Sequence, residues 1–161
     1  MRICKFVLIV GLLSLLFPGC KKHYSSSALI VCNESGEELW VESYIVSASC
    51  DSTKSFLLQE GRTKSVVLAT SEKYEKVNNA SSFLKRCVYN EDAYVRVYKV
   101  DEYGERVLAH NWTYVNRNND GHELFNETCI EQSIQGNAAG DAVVSYLFTI
   151  LPEDISGSTL D

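Results

Sequence analysis

The side chains best suited to chemistry in this chain are oxygen donors within residues 116–127. Asn116, Asn118 and Asp120 stand at alternate positions and Gly121 follows. Glu127 comes after a further gap of five residues. Amide and carboxylate oxygens are the ligands that Ca²⁺ prefers, and alternate spacing lets a loop wrap them around one ion. The segment therefore predicts a candidate calcium site with Asn116, Asn118, Asp120 and Glu127 as ligands.

This spacing resembles the calcium loop of EF-hand proteins, in which a glycine allows a sharp turn and a late glutamate closes the site with both oxygens. Two positions depart from that pattern, because Asn116 stands where aspartate is usual and Glu123 where an apolar residue is usual. The flanking segments are also predicted to be strands rather than paired helices. A simple connection in which Gly121 adopts a positive φ is the alternative explanation.

Residues for acid–base or covalent catalysis are sparse in the domain. His110 and His122 are its histidines, and the sequence has no Gly-x-Ser-x-Gly elbow, phosphate-binding loop or His-Glu-x-x-His motif. The adjacent carboxylates Glu153 and Asp154 follow Pro152 at a predicted strand end, where solvated charge is expected. We therefore predict no catalytic residue and no enzymatic activity.

Four cysteines of the domain are candidates for cross-links: Cys32, Cys50, Cys87 and Cys129. This even set allows three pairings, and one or two disulfides are predicted in an oxidising compartment, each contributing about 2–4 kcal/mol. The alternative is four buried thiols that act as small apolar side chains. None of the four has the Cys-x-x-Cys spacing of a zinc or redox site.

The N-terminal segment has the pattern of an export signal. Arg2 and Lys5 provide a basic start, an apolar run covers residues 6–17, and Gly19 and Cys20 follow shortly afterwards. The run is too short to span a bilayer core with ease, because a spanning helix needs about 20 apolar residues. A cleaved signal is therefore expected rather than an anchor helix.

The end of this segment resembles a bacterial lipoprotein signal, in which a small residue such as Gly19 precedes the cysteine that receives the lipid. Phe17 and Pro18 stand where such signals usually carry leucine and a small residue. The resemblance implies that Cys20 is lipidated with more than one acyl chain, such as palmitate, which makes a stable membrane anchor. A plain secretory signal that leaves Cys20 as an ordinary cysteine is the alternative.

These features divide the chain into four segments. We predict a signal peptide over 1–19, the lipidated cysteine and a tether over 20–27, one domain over 28–155 and a flexible tail over 156–161. Loss of the signal removes two basic residues and no acidic residue, so the formal net charge changes from −6 to −8. This acidic balance argues against nucleic acid as a partner and against binding to anionic lipid surfaces.

Alternation of apolar and polar residues dominates the domain and predicts β-strands. A hairpin is expected over 29–46 with a turn at 34–37, and a second over 94–115 with a turn at 101–104. Other strands are expected at 55–59, 65–69, 128–134 and 143–151, with one or two helical turns within 71–87. This pattern predicts an all-β fold, an antiparallel two-sheet sandwich (immunoglobulin-like) with a short helical insertion. A small β-barrel is the alternative.

Most of the larger aromatic side chains of the domain fall in these predicted strands. Core packing is the expected role, because alternation requires large residues on one face, and a ligand platform is the alternative. The residues concerned are Trp40, Tyr44, Tyr94, Tyr98, Trp112, Tyr114, Tyr146 and Phe148.

The layout of the whole chain resembles the small lipoproteins of Bacteroidetes whose function is unassigned: a signal ending at Cys20, a polar tether and one strand-rich domain. The resemblance implies a lipid anchor in the outer membrane of the cell envelope, on its periplasmic or surface face, and no activity. We expect a non-catalytic protein without a cofactor that presents its sandwich to a protein or glycan partner. The alternatives are an envelope inhibitor or immunity lipoprotein, a calcium-binding module, and a hydrolase with an unrecognised site.

Overall fold

Strands dominate the structure. The computed structural model describes residues 25–47, 50–71, 80–87, 90–136 and 142–156. None of the helices in these ranges is long and apolar enough to cross a membrane. The strands in these ranges are β1 (Ser25–Asn33), β2 (Leu39–Ser47), β3 (Cys50–Leu58), β4 (Thr63–Ser71), β5 (Tyr94–Val100), β6 (Arg106–Thr113), β7 (Glu131–Gly136) and β8 (Ala142–Ile150). The helices are α1 (Ala80–Cys87) and α2 (Pro152–Ser156), and a 3₁₀ turn covers Glu127–Cys129.

The strands form two four-stranded sheets that pack face to face. One sheet has the order β4-β1-β8-β7 and the other the order β3-β2-β5-β6. Neither sheet closes into a barrel over the described residues, so the predicted sandwich is confirmed and the barrel alternative is wrong. The helix α1 supplies the helical insertion expected within 71–87. The likeness to immunoglobulin domains is confined to this layering, because constant-type immunoglobulin sheets have four and three strands in another order.

Strand pairing departs from the predicted antiparallel hairpin at β1. This strand lies between β4 and β8 and pairs with β8 in parallel, with Ser25 beside Ala142 and Asn33 beside Ile150. The strand β2 belongs to the other sheet, where it pairs with β3 and β5. The predicted hairpin over 29–46 is therefore wrong, and residues 34–38 carry the chain between the sheets. Alternation marks each strand as half-buried but does not specify its neighbour.

Other predicted elements agree with the structure more closely. The strands β5 and β6 form the predicted hairpin, and β8 coincides with the strand expected at 143–151. The strand β7 begins at Glu131 rather than at 128, because the 3₁₀ turn occupies the preceding residues. The strand β1 begins at Ser25, so the last three residues of the predicted tether belong to the sheet. The predicted signal peptide, Cys20 and residues 157–161 lie outside the described residues.

The inner faces of the two sheets form one hydrophobic core. Trp112 of β6 meets Phe148 of β8 edge to face, with ring centroids 5.3 Å apart. Phe83 of α1 stacks on Tyr146 of β8 at 4.3 Å, so the helix packs onto the core. Aromatic pairs of this kind contribute about 0.5–1.5 kcal/mol beyond the burial of their area. Core packing is thereby confirmed for Trp112, Tyr114, Tyr146 and Phe148.

Strand directions define two ends of the sandwich. At the far end, β1 and β3 terminate together, and Asn33 Nδ2 donates a hydrogen bond to Leu58 O over 2.9 Å. At the entry end, β1 begins at Ser25 in one sheet, and β6 ends with Thr113 opposite Tyr94 in the other. Strands of nine residues separate the two ends by about 30 Å.

Candidate functional site

Four aromatic side chains lie on the outer face of the β3-β2-β5-β6 sheet rather than in the core. Trp40 is opposite Tyr98 and Tyr44 is opposite Tyr94 in the register of β2 and β5, and all four are half-buried. We call these four residues the aromatic face. The core prediction is wrong for them, because the inner positions of both strands are taken by aliphatic side chains: Leu39, Val41, Ile45, Val95 and Val97.

Two arginines are stacked on the aromatic face. The Arg106 guanidinium lies 3.6 Å from the ring centroid of Trp40, and the Arg96 guanidinium lies 4.1 Å from that of Tyr94. A cation–π contact at an exposed site contributes about 0.5–1 kcal/mol. These contacts restrict the rotamers of both arginines while the side chain of Arg106 remains 45% exposed.

Glu42 orders the centre of the aromatic face. Its carboxylate accepts a hydrogen bond of 3.0 Å from the Tyr98 hydroxyl and lies 3.7 Å from Arg106 Nη1. Burial, together with the Glu42 carboxylate, raises the pKa of Tyr98, so the hydroxyl remains a donor at neutral pH. Trp40 Nε1 is buried and has no hydrogen-bond partner among the described residues. A buried donor without a partner is costly.

Acidic loops border the aromatic face at the far end. Loops 34–38 and 101–105 adjoin the strands that hold Trp40, Tyr98 and Arg106, and loop 59–62 lies beside them. The three loops, which we call the acidic rim, hold seven carboxylates and one guanidinium. Tyr103, at the tip of the β5–β6 turn, is 82% exposed. The rim therefore surrounds one end of the aromatic face with negative charge.

One buried asparagine holds two loops of the acidic rim in place. Asn33 is fully buried, and its Nδ2 donates to Glu37 O over 2.7 Å and to Leu58 O over 2.9 Å. Its Oδ1 accepts from the backbone N–H and the hydroxyl of Ser35, at 3.1 and 2.6 Å. The Gly61 N–H donates to the Asn33 carbonyl over 2.7 Å. These bonds satisfy every polar atom of the side chain and tie the two loops to the end of β1.

A hollow of about 320 Å³ lies at the entry end, between α1, the turn after β6 and the 3₁₀ turn. The apolar part of its lining consists of Leu84, Tyr114 and Phe125. Lys85 and Arg117 bring positive charge. The Arg117 guanidinium lies 4.2 Å from the Tyr114 ring centroid, and its Nη1 donates to Tyr114 O over 2.8 Å. The guanidinium is thus held in position by its own turn.

The structure brings two of the four predicted calcium ligands to this hollow. Asn118 and Glu127 line it, whereas Asn116 and Asp120 are exposed and are not among its lining residues. No group of three or more histidine, cysteine, aspartate or glutamate side chains in the described chain is arranged to hold a metal ion. Gly121 has a φ of +136°, which is the positive value that the alternative explanation of the loop predicted.

A histidine–aspartate pair fastens α2 to the loop that precedes β7. His122 Nδ1 lies 3.0 and 2.9 Å from the two carboxylate oxygens of Asp154. The Asp154 side chain is 5% exposed and also accepts the Leu151 N–H over 2.8 Å. The imidazole stacks on Phe148 with centroids 4.4 Å apart. The expectation that Asp154 is solvated is therefore wrong. The sequence could not reveal the contact, because its partner is 32 residues away and leaves no local pattern.

Two of the four candidate cysteines carry free thiols. Cys32 is buried, and Cys129 is half-buried with its Sγ 3.7 Å from Gly121 O. The predicted disulfides therefore do not include these two residues. Burial, followed by the carboxylates of Glu34 and Glu60, raises the pKa of the Cys32 thiol, which keeps it protonated. The side chains of Cys50 and Cys87 lie outside the described part of the chain.

Comparison of the chain with protein-family models, with curated proteins and with solved structures finds no match.

Proposed function

We propose that this chain is a lipid-anchored, non-catalytic protein of the bacterial cell envelope that binds a basic protein partner through the aromatic face. The observation that carries the proposal is the stacking of two arginines on aromatic rings of the outer sheet surface. Arg106 stacks on Trp40, and Arg96 stacks on Tyr94. Tryptophan, tyrosine and arginine are the residues that dominate the energetics of protein interfaces. Stacked, hydrogen-bonded side chains lose little further rotamer freedom on binding, which favours affinity.

The acidic rim supports a partner with positive charge around its own apolar contact. Complementary charge around an interface speeds association and disfavours partners of the wrong sign. Glu34, Glu38, Glu102 and Glu105 are exposed and form no ion pair within the described residues, so their charge is available to a partner. The hydrogen bonds of Asn33 hold part of this charge in a fixed arrangement.

The position of Cys20 suits this arrangement. Ser25 lies five positions after Cys20, and a chain of that length spans at most about 18 Å. A lipid on Cys20 would keep the entry end close to the membrane and leave the acidic rim at the opposite end, about 30 Å further away. A partner in the envelope would then reach the rim and the Trp40–Tyr98 end of the aromatic face without contacting the lipid.

Site-specific photocrosslinking in living cells tests the proposal. A photoreactive residue at Asn111, which is exposed on β6 beside Arg96, should give an adduct of discrete mass. The same residue at Leu68, 62% exposed on the other sheet, is the matched control and should give none. Arg106→Ala should reduce the Asn111 adduct at least about fivefold, because it removes the ordered side chain that is stacked on Trp40 at the proposed centre.

Arg117→Ala is the control for the loss of a stacked arginine, since Arg117 stacks on Tyr114 at the entry end, outside both the aromatic face and the acidic rim. Equal adducts from Asn111 and Leu68, an Asn111 adduct that Arg106→Ala leaves unchanged, or no adduct at Asn111 would each contradict the proposal. If the captured partner is an enzyme whose activity falls on binding, the protein acts as an inhibitor through this face.

A further inference from the structure

The hollow at the entry end has a lining that suits a small polar anion. Lys85 is exposed on α1, and Arg117 is held by stacking and by its bond to Tyr114 O. Neither cation forms an ion pair within the described residues. The two cations and the carboxylate of Glu127 give the lining a net charge of +1.

Neutral polar groups complete the lining. Asn118 is exposed, and Ser81 and Thr128 add hydroxyls. Asn126 Oδ1 is occupied, because it accepts from the backbone N–H and the hydroxyl of Thr128 at 3.0 and 2.8 Å. The amide nitrogen of Asn126 therefore remains as a donor. Amides and hydroxyls of this kind match the alternating donors and acceptors of a sugar ring.

The other side of the Tyr114–Arg117 pair has the opposite charge. A second hollow of about 460 Å³ shares these two residues but is otherwise lined by Asn90, Glu91 and Asp92. Its two carboxylates outweigh the guanidinium, so an anion is directed to the first hollow.

We propose that the first hollow binds a single carboxylate-bearing sugar unit, a hexuronic acid, with its carboxylate on Arg117 and Lys85. An arginine fork donates two parallel hydrogen bonds to a planar carboxylate, and the lysine adds a second positive charge. The net charge of +1 matches a monoanion. The dianion of a sugar phosphate exceeds that charge, and the carboxylate of Glu127 repels it more strongly. A volume of about 320 Å³ lies at the lower end of small-molecule sites, which suits one sugar ring. This inference does not depend on the aromatic face.

Calorimetric titration of the folded protein with D-glucuronic acid, glucose and glucose 6-phosphate tests the inference. Glucuronic acid should bind with a dissociation constant on the order of 1 mM, at least about tenfold tighter than either other sugar. Arg117→Lys keeps the charge and loses the fork, so it should weaken glucuronic acid at least about fivefold. Arg96→Lys is the matched control, because Arg96 also stacks on a tyrosine but lies outside the hollow, and it should leave binding unchanged.

Asn118→Ala is a second variant, at an exposed position that does not carry the fold, and it should weaken glucuronic acid about two- to threefold. Glucose or glucose 6-phosphate binding as tightly as glucuronic acid would overturn the proposal. So would the absence of binding at 50 mM (about fifty times the expected constant), or equal effects of Arg117→Lys and Arg96→Lys.

Discussion

Asn33 shows how one buried polar side chain supports the acidic rim. Replacing it with alanine removes the bonds to the carbonyls of Glu37 and Leu58 and to the N–H of Ser35, and the last two of these groups lose a buried partner. We expect Asn33→Ala to lower the free energy of unfolding by about 2–4 kcal/mol, measured by urea denaturation. Asn119→Ala, at an exposed turn, is the control and should cost less than about 0.5 kcal/mol. Equal costs for the two variants would contradict the role given to Asn33.

Glu123 predicts a pH dependence that can be measured. Burial, with a smaller contribution from the Asp154 carboxylate, raises the pKa of Glu123, while His110 and His122 oppose the change. The folded state then holds this proton more tightly than the unfolded chain, so the stability contributed by Glu123 falls as pH rises above its ordinary pKa of 4.5. The free energy of unfolding of Glu123→Gln, taken relative to that of the natural protein, should therefore be higher at pH 7 than at pH 4. Because the site is partly exposed, the difference should stay below about 1 kcal/mol.

Urea denaturation of both proteins at the two pH values gives this comparison, with Glu131→Gln on the exposed strand β7 as control. A difference of the opposite sign, or one of equal size in the control, would show that Glu123 is not the group responsible.

Residue-level features were predictable from sequence where they depend on near neighbours. The positive φ of Gly121 follows from a turn-forming segment, and the structure confirms it. The pairing of His122 with Asp154 and the stacking of Arg106 on Trp40 depend on residues far apart in the chain. Sequence patterns report local spacing, so neither contact had a pattern that could reveal it.

The helix α2 depends on a single side chain for much of its attachment. Asp154 bonds to His122 and to the Leu151 N–H, and its loss leaves both donors without their acceptor. We expect Asp154→Ala to lower the free energy of unfolding by about 1–3 kcal/mol and to increase hydrogen exchange in α2. Glu153→Ala, one residue earlier and exposed, is the matched control and should cost less than about 0.5 kcal/mol. Unchanged exchange in α2 after Asp154→Ala would place its attachment elsewhere.

At the level of elements, the sequence predicts where strands lie better than which strands pair. Periodicity locates β5, β6 and β8 well, and the short turn at 101–104 predicts their hairpin correctly. The similar turn at 34–37 predicts a hairpin that does not exist, because Asn33 is bonded into loops of both sheets and the chain crosses over. The parallel pairing of β1 with β8 joins strands at opposite ends of the chain, and no local pattern encodes it.

On the scale of the whole molecule, the direction of β1 relates the proposed anchor to the proposed binding surface. Alternation puts Trp40 and Tyr44 on the same face of β2, but it does not decide whether that face is core or surface. The aliphatic residues at the inner positions of β2 and β5 decide that choice in the structure. The acidic rim could be counted in sequence, yet its assembly at one end depends on the crossover at 34–38.

The proposed anchor at Cys20 yields the broadest prediction. If Cys20 carries several acyl chains, replacing it with alanine removes the attachment, since the acyl chains supply the membrane affinity. Cys20→Ala should therefore move most of the protein from the membrane fraction to the soluble fraction, measured by ultracentrifugation and immunoblotting. Cys129→Ala, at a free thiol within the domain, is the matched control and should stay with the membrane. Retention of Cys20→Ala in the membrane would mean that the protein is held by other contacts. The entry end would then no longer be tied to the lipid, and the orientation proposed for the acidic rim would lose its basis.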